Sequence, residues 1–258
     1  MRIVLYNILF GMRGNKLGDA VLSNLSMHGL RPVLPCGLPR WLRKLTVPAR
    51  NKYLKNAISL VENFSPDILC LNEVLVDTHG KELEKKLHEM GFTTIIYGVS
   101  LHHLPQFRIS LVLATKAKAE TIPFSLSMEN RPGGSGGAGS LFIPSENLAV
   151  LGVHLALPGT LLDTELEEVN TWMQNQKKLG RRVLVLGDFN TDKKQIDKKV
   201  PALSSFTETA APTCPSFKTL FKKSDCIDHI FFDESFQNVN SGVEAGYSDH
   251  KLVWAELN

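Results

Sequence analysis

The chain is poor in the features that would assign it to several common classes. Its four cysteines, Cys36, Cys70, Cys214 and Cys226, form no Cys-x-x-Cys pair and no spacing typical of zinc ligands. That pattern speaks for reduced thiols rather than a disulfide framework, and Cys70, inside an apolar run, reads as a buried thiol. No stretch is long and apolar enough to span a bilayer, and Met1 leads directly into a strand-like Arg2–Asn7 that leaves no room for a signal peptide. The expectation is a cytoplasmic protein. A formal charge of +3 is too small to argue nucleic acid by itself, although it suits an anionic substrate. No serine or cysteine sits in a recognisable nucleophile motif. The glycine-rich Arg131–Gly139 lacks a following helix and a Lys-Ser/Thr pair, so it reads as a hairpin tip and not a phosphate loop. Neither an internal repeat nor a compositional break divides residues 1–258, so one domain is expected.

What is present is a set of apolar runs that stop on polar residues. Val183-Leu184-Val185-Leu186 is too continuously apolar for a half-exposed strand and predicts one buried on both faces. It ends on Gly187-Asp188-Phe189-Asn190, where a period of two places Asp188 and Asn190 on the same side. Residues 2–7 predict a first strand ending at Asn7, and residues 68–74 a second ending at Asn72-Glu73. Further strands are expected near 92–98, 108–114, 118–125, 148–154 and 226–232, with a last one after Ser248-Asp249-His250. Helical spacing of apolar residues predicts helices over 50–64, 81–90 and 161–179. Gly91 stops the second of these.

The polar strand ends are Asn7, Glu73, His154, Asp188, Asn190, Asp228, Asp249 and His250. Hard oxygen donors of this kind suit Mg²⁺, which takes one or two carboxylates and keeps several waters. A histidine with a neighbouring acid suits a base whose imidazolium is stabilised. Attack on a phosphodiester requires charge neutralised on the non-bridging oxygens, a water activated in line and a stabilised leaving alkoxide. Acids, amides and imidazoles together can meet all three demands.

Six short motifs carry a resemblance. Tyr6-Asn7-Ile8, Leu71-Asn72-Glu73-Val74, Val153-His154-Leu155, Gly187-Asp188-Phe189-Asn190, Ile227-Asp228-His229-Ile230-Phe231 and Ser248-Asp249-His250 occur in one order along the chain. In that order they resemble the endonuclease/exonuclease/phosphatase superfamily, which includes deoxyribonuclease I, abasic-site endonucleases, neutral sphingomyelinases and inositol-polyphosphate 5-phosphatases. The resemblance implies an α+β fold, a four-layer α/β/β/α sandwich with two mainly antiparallel (mixed) sheets packed face to face. It also implies a Mg²⁺ site on Glu73 with Asn7 and Asp249, Mn²⁺ being the alternative ion. By the same resemblance Asp188 positions or deprotonates the attacking water, and Asn190 donates to a phosphate oxygen. His250, held by Asp228, contacts the phosphate or acts as base, and His154 contacts the phosphate and assists the leaving oxygen. Three details depart from the family or stay unassigned: Asn72 stands where it usually has glutamine, His229 fills a slot often taken by tyrosine and reads as facing away, and Thr213-Cys214-Pro215 has no assigned chemistry. The Trp-Cys-Asp-Arg signature of the inositol 5-phosphatases is missing.

A basic insertion at about 11–49 remains, rich in glycine and proline. From Arg31 to Lys55 it carries no acidic residue, and Leu38, Trp41, Leu42 and Leu45 follow helical spacing. It could track a nucleic-acid backbone or lie on an anionic membrane surface. Arg108 is a further candidate for contacting substrate. The reading favours a monomeric Mg²⁺-dependent phosphodiesterase acting on nucleic acid, a nuclease. The alternative is a phosphodiesterase or phosphatase of a lipid headgroup or small phosphate ester near a membrane. A non-catalytic binding protein has no need for the intact acid, amide and histidine set.

Overall fold

A computed structural model describes residues 1–8, 54–100, 109–127, 137–205, 207–208, 213, 226–248 and 250–258. The basic insertion, Arg108, residues 131–136 and Asp249 lie outside these residues. In chain order the strands are β1 (Arg2–Asn7), β2 (Ile68–Leu75), β3 (Thr94–Ser100), β4 (Ile109–Thr115), β5 (Glu120–Thr121) and β6 (Gly137–Ile143). They continue with β7 (Leu148–His154), β8 (Arg182–Asp188), β9 (Thr207–Glu208), β10 (Asp228–Phe232), β11 (Asn238–Glu244) and β12 (Leu252–Leu257). The helices are α1 (54–63), α2 (Val76–Glu89), α3 (Thr160–Lys178) and α4 (Lys193–Lys199). None of the helices among the described residues is long and apolar enough to cross a membrane.

The strands form two six-stranded sheets, ordered β11-β12-β1-β2-β4-β3 and β5-β6-β7-β8-β10-β9. Each is mixed: β1 runs parallel to β2 and β7 parallel to β8, and the remaining pairs are antiparallel. Three apolar layers follow from the period of two. Ile3, Leu5, Ile68, Cys70 and Leu111 of the first sheet meet Leu148, Val150, Leu184, Leu186, Ile230 and Phe232 of the second. The alternate residues Val4, Tyr6, Leu69 and Leu71 pack outward on Leu54, Ile58 and Val61 of α1 and on Leu83 and Leu87 of α2. On the far side, Leu151, Val153, Val183 and Val185 pack on Leu162, Leu166, Val169, Trp172 and Met173 of α3. The result is the expected four-layer sandwich, with β8 buried on both faces.

The inner layer is unusually close in one place. A Cβ added at Gly98 in β3 would lie 2.1 Å from the carbonyl oxygen of Ala138 in β6, and one at Gly139 would lie 3.0 Å from Ile96. This corrects the reading of Arg131–Gly139 as a hairpin tip for its last three residues, because Gly137, Ala138 and Gly139 belong to β6 and are buried. Glycine there serves the approach of the sheets, not a turn. The strand expected over 118–125 shrinks to Glu120–Thr121. Ile122 N still donates to Ser140 O at 3.0 Å, but Pro123 has no N–H to continue the ladder. Helix α2 begins at Val76, five residues before its expected start, running on directly from β2. The edge strand β11, mostly polar, carried no apolar signal by which to predict it.

Substituting Gly98→Ala should destabilise the fold by about 1–3 kcal/mol through overpacking against Ala138. Urea denaturation monitored by circular dichroism measures it, and an unchanged midpoint would refute the close approach.

Candidate active site

The polar site grows out of the inner apolar layer by continuing each strand's inward series two residues further. After Ile3 and Leu5 comes Asn7, after Ile68 and Cys70 comes Asn72, and after Leu184 and Leu186 comes Asp188. In the same way His154 ends the inward series of β7, and Asp228 opens that of β10, directly opposite Asp188 in register. All five are buried. The site therefore straddles both sheets at one end of the sandwich.

Glu73 reaches this end by a different route. The pairing of β2 with β4 shifts register between Leu71 and Val74, and Glu73 takes a left-handed φ of 59°. The irregularity resets the alternation, so Val74 packs outward with the helices while Glu73 meets Asn7. A left-handed conformation costs a residue with a Cβ about 1–2 kcal/mol, which the surrounding sheet imposes. At β8 the corresponding device is Gly187, where a Cβ would lie 1.8 Å from Val153 O on the neighbouring strand.

The distances define a compact cluster. Asn7 Nδ2 donates to Asp188 Oδ2 at 2.9 Å and to Glu73 Oε1 at 3.3 Å, so one amide bridges the two carboxylates across the sheets. His154 Nε2 lies 3.9 Å from both Glu73 Oε1 and Asp188 Oδ2. His250 Nε2 lies 3.9 Å from Asp188 Oδ2, and its Nδ1 is 2.8 Å from Asp228 Oδ2. With Asp228 ionised, Nδ1 carries the proton and donates, leaving Nε2 to face the site. Asn72 Nδ2 makes a long 3.4 Å bond to Val153 O, so the shorter amide still ties β2 to β7.

Asn190 departs from its expected placement. The alternation stops at Asp188, and Asn190 adopts a left-handed φ of 52°. Its backbone N–H donates to Asp188 Oδ1 at 2.8 Å, and its side-chain amide donates to Leu155 O at 2.7 Å. It therefore braces Asp188 and the segment after His154, and its second amide hydrogen meets no acceptor among the described residues. His229 does face away, stacked on Phe231, edge-on to Phe189, with Nε2 3.0 Å from Thr191 O. Thr213, given no chemistry by its sequence, accepts the backbone N–H groups of both Ile227 and Asp228.

Burial pushes the Asp188 carboxyl above the ordinary carboxylate range, and the neighbouring Asp228 pushes it further. His250, His154 and the Asn190 N–H act in the opposite direction. A cluster holding three acids with two imidazoles is chemically suited to a hard divalent cation. Asp188, Asp228 and His250 each offer one donor atom within 4.8 Å of the others. His250 and Asp228 are already bonded to each other, however, which leaves Glu73 and Asp188, bridged by the Asn7 Nδ2, as the better-placed oxygen donors.

The sequence matches the Endonuclease/Exonuclease/phosphatase family over residues 5–250. The chain belongs to that family. Members hydrolyse phosphate esters and are generally metal-dependent, and this protein is a hydrolase of phosphate esters. Solved structures share the fold at low identity. An abasic-site (AP) endonuclease from Archaeoglobus fulgidus is 14% identical with a TM-score of 0.64, over 100% of this chain and 99% of that one. The mannosyl-6-phosphatase Bt3783 of Bacteroides thetaiotaomicron is 17% identical with a TM-score of 0.59, over 100% and 99%. ANGEL2, a 2',3'-cyclic phosphatase in complex with adenosine-2',3'-vanadate, is 15% identical with a TM-score of 0.64, over 100% and 95%. Comparison with curated protein sequences yields no match.

Of the residues singled out in the sequence, Asn7, Glu73, His154, Asp188, Asp228 and His250 converge, and Asn190 braces them from the edge. A raised carboxyl means that ionised Asp188 weakens the metal-free fold, so the stability present at low pH is lost as pH rises through the raised value. Asp188→Asn should therefore melt above the wild type in EDTA at pH 8, and the difference should close as pH falls into the carboxylate range. Differential scanning fluorimetry across pH checks this, and a gap that widens in acid would reverse the assignment.

Proposed function

We propose that the protein is a metal-dependent phosphodiesterase that hydrolyses its substrate with an activated water, and that the substrate is a nucleic acid. The observation that carries this reading is the Asp228–His250 pair facing a second buried carboxylate, Asp188, with Glu73 and His154 alongside. Glu73, with Asn7 and Asp249, would hold Mg²⁺, with Mn²⁺ the alternative. Such an ion supplies charge neutralisation at the phosphate and the leaving oxygen. Asp188 holds the attacking water, its oxygens already oriented by Asn7 and Asn190. His250 Nε2 takes the water proton or steadies a phosphate oxygen, and Asp228 stabilises the imidazolium. His154 contacts the phosphate from the other side, and the spare hydrogen of the Asn190 amide is free for a phosphate oxygen. Arg108 is assigned to the substrate as well. The nucleic-acid reading draws support from fold relatives that are an endonuclease and a phosphatase holding an adenosine derivative.

A second reading, a lipid or small phosphate ester, is favoured by one observation. Leu157, 71% exposed, follows closely after His154, and Tyr247, 37% exposed, precedes His250. Both present apolar surface close in sequence to site residues, on which an acyl chain or sugar could rest. The relative that acts as a mannosyl-6-phosphatase is compatible with it.

With Mg²⁺ and a generic phosphodiester, His250→Ala should lower kcat roughly 10²–10⁴-fold, and Glu73→Ala should reduce hydrolysis to background. Full activity in either variant would overturn the assignment. A panel of DNA, RNA, sphingomyelin, phosphatidylinositol phosphates and sugar phosphates separates the two substrate classes.

A further inference from the structure

We infer that Thr213 and Tyr6 are positioning residues: the Thr213 hydroxyl holds the backbone that carries Asp228, while the Thr213 carbonyl and the Tyr6 hydroxyl grip the two ends of the His250 loop, and together they set the imidazole against Asp228. The inference rests on the phosphodiesterase reading for its rate measurement. Asp228 opens β10, whose outer neighbour β9 pairs only with Phe231 and Phe232. The Asp228 end of that edge has no strand beside it among the described residues. Thr213 Oγ1 takes the strand's place, accepting from Ile227 N and Asp228 N at 3.2 Å each. On the inner edge Ile227 O accepts from Phe189 N at 2.8 Å, next to Asp188. Asp228 Oδ1 has no hydrogen-bond partner among the described residues, so the carboxylate's position is set by its backbone and by His250.

The same threonine holds the other member of the pair. Thr213 O accepts from Lys251 N at 2.7 Å, immediately after His250. Thr213 is fully buried and thus joins, through one residue, the backbones that carry Asp228 and His250. At the loop's other end Tyr6 Oη accepts from Tyr247 N at 2.7 Å. Gly246 makes room for that hydroxyl, because a Cβ there would lie 2.1 Å from it. Between the two anchors, Ser248 Oγ accepts from His250 N at 3.2 Å. Among the described residues, the bonds of Thr213 and Tyr6 to this loop and to β10 run through the backbone.

Thr213→Val keeps the shape and removes the acceptor, and Thr213→Ser keeps the acceptor. On a generic phosphodiester in Mg²⁺, the valine variant should lose about 10–100-fold in kcat with KM within about twofold, as expected for a misplaced catalytic group. The serine variant should recover most of that loss, and Tyr6→Phe should show a smaller fall of the same kind. The low-field Nδ1–H resonance of His250, which reports its bond to Asp228, should weaken or shift in the valine variant and return with serine. Wild-type kcat in folded Thr213→Val, or a serine variant as impaired as the valine one, would overturn the proposal. The imidazole resonance needs no turnover. A wild-type protein inert on every ester would therefore sink the phosphodiesterase reading, while an unchanged resonance in Thr213→Val would sink the clamp.

Discussion

Ionising a carboxylate inside an apolar layer is costly, and Asp188 and Asp228 face each other at the rim of such a layer. Most of the polar architecture answers that cost. Asn7 crosses from the other sheet to donate to Asp188, Asn190 donates its backbone N–H, and His250 bonds one oxygen of Asp228. What remains is a surplus of negative charge that suits a divalent cation. The same desolvation that weakens the metal-free fold strengthens every charge interaction made there with substrate.

Because the site straddles two sheets, its geometry depends on how they pack. The inner faces carry Ile, Leu, Val and Phe nearly to the end, and the polar residues occupy only the last step of each strand. Gly98, Gly139 and Gly152 thin the layer so that the sheets can come close; a Cβ at Gly152 would meet Leu111 at 3.1 Å and Cys70 Sγ at 3.3 Å. Cys70 lies two positions inward of Asn72, and burial holds its thiol far above the ordinary range, which keeps it inert beneath the acids. The site floor is accordingly apolar and neutral.

Much of this was legible in the sequence because period-two alternation is a local property. The apolar run of β8 announces a doubly buried strand, and its stop at Gly187-Asp188 places a carboxylate at the tip. The helical stripe of Leu162, Leu166, Val169, Trp172 and Met173 is equally plain, and all five are buried. What could not be read was non-local. The register shift that turns Glu73 inward depends on how β2 pairs with β4, and no residue pattern marks it. Gly137 to Gly139 looked like a turn because closeness between sheets is invisible along one chain. Asn190 was placed by extrapolating a strand that ends two residues earlier. Thr213 stood out only by resemblance, since its partners Ile227, Asp228 and Lys251 lie far along the sequence.

The pairing of β1 with β12 bears on how the enzyme comes into being. Arg2 to Leu5 align with Glu256 to Val253, and Met1 and Leu257 exchange hydrogen bonds. A ribosome delivers β1 before the intervening strands and its antiparallel neighbour β12 after them. Asn7 thus waits at the end of a strand with one open flank until β12 arrives, bringing His250 in the loop before it. Loop-closure entropy of that span makes this a slow step. The polar cluster therefore assembles only with the closing of the first sheet, so a nascent chain long enough to fold the second sheet still lacks the Asp228–His250 pair.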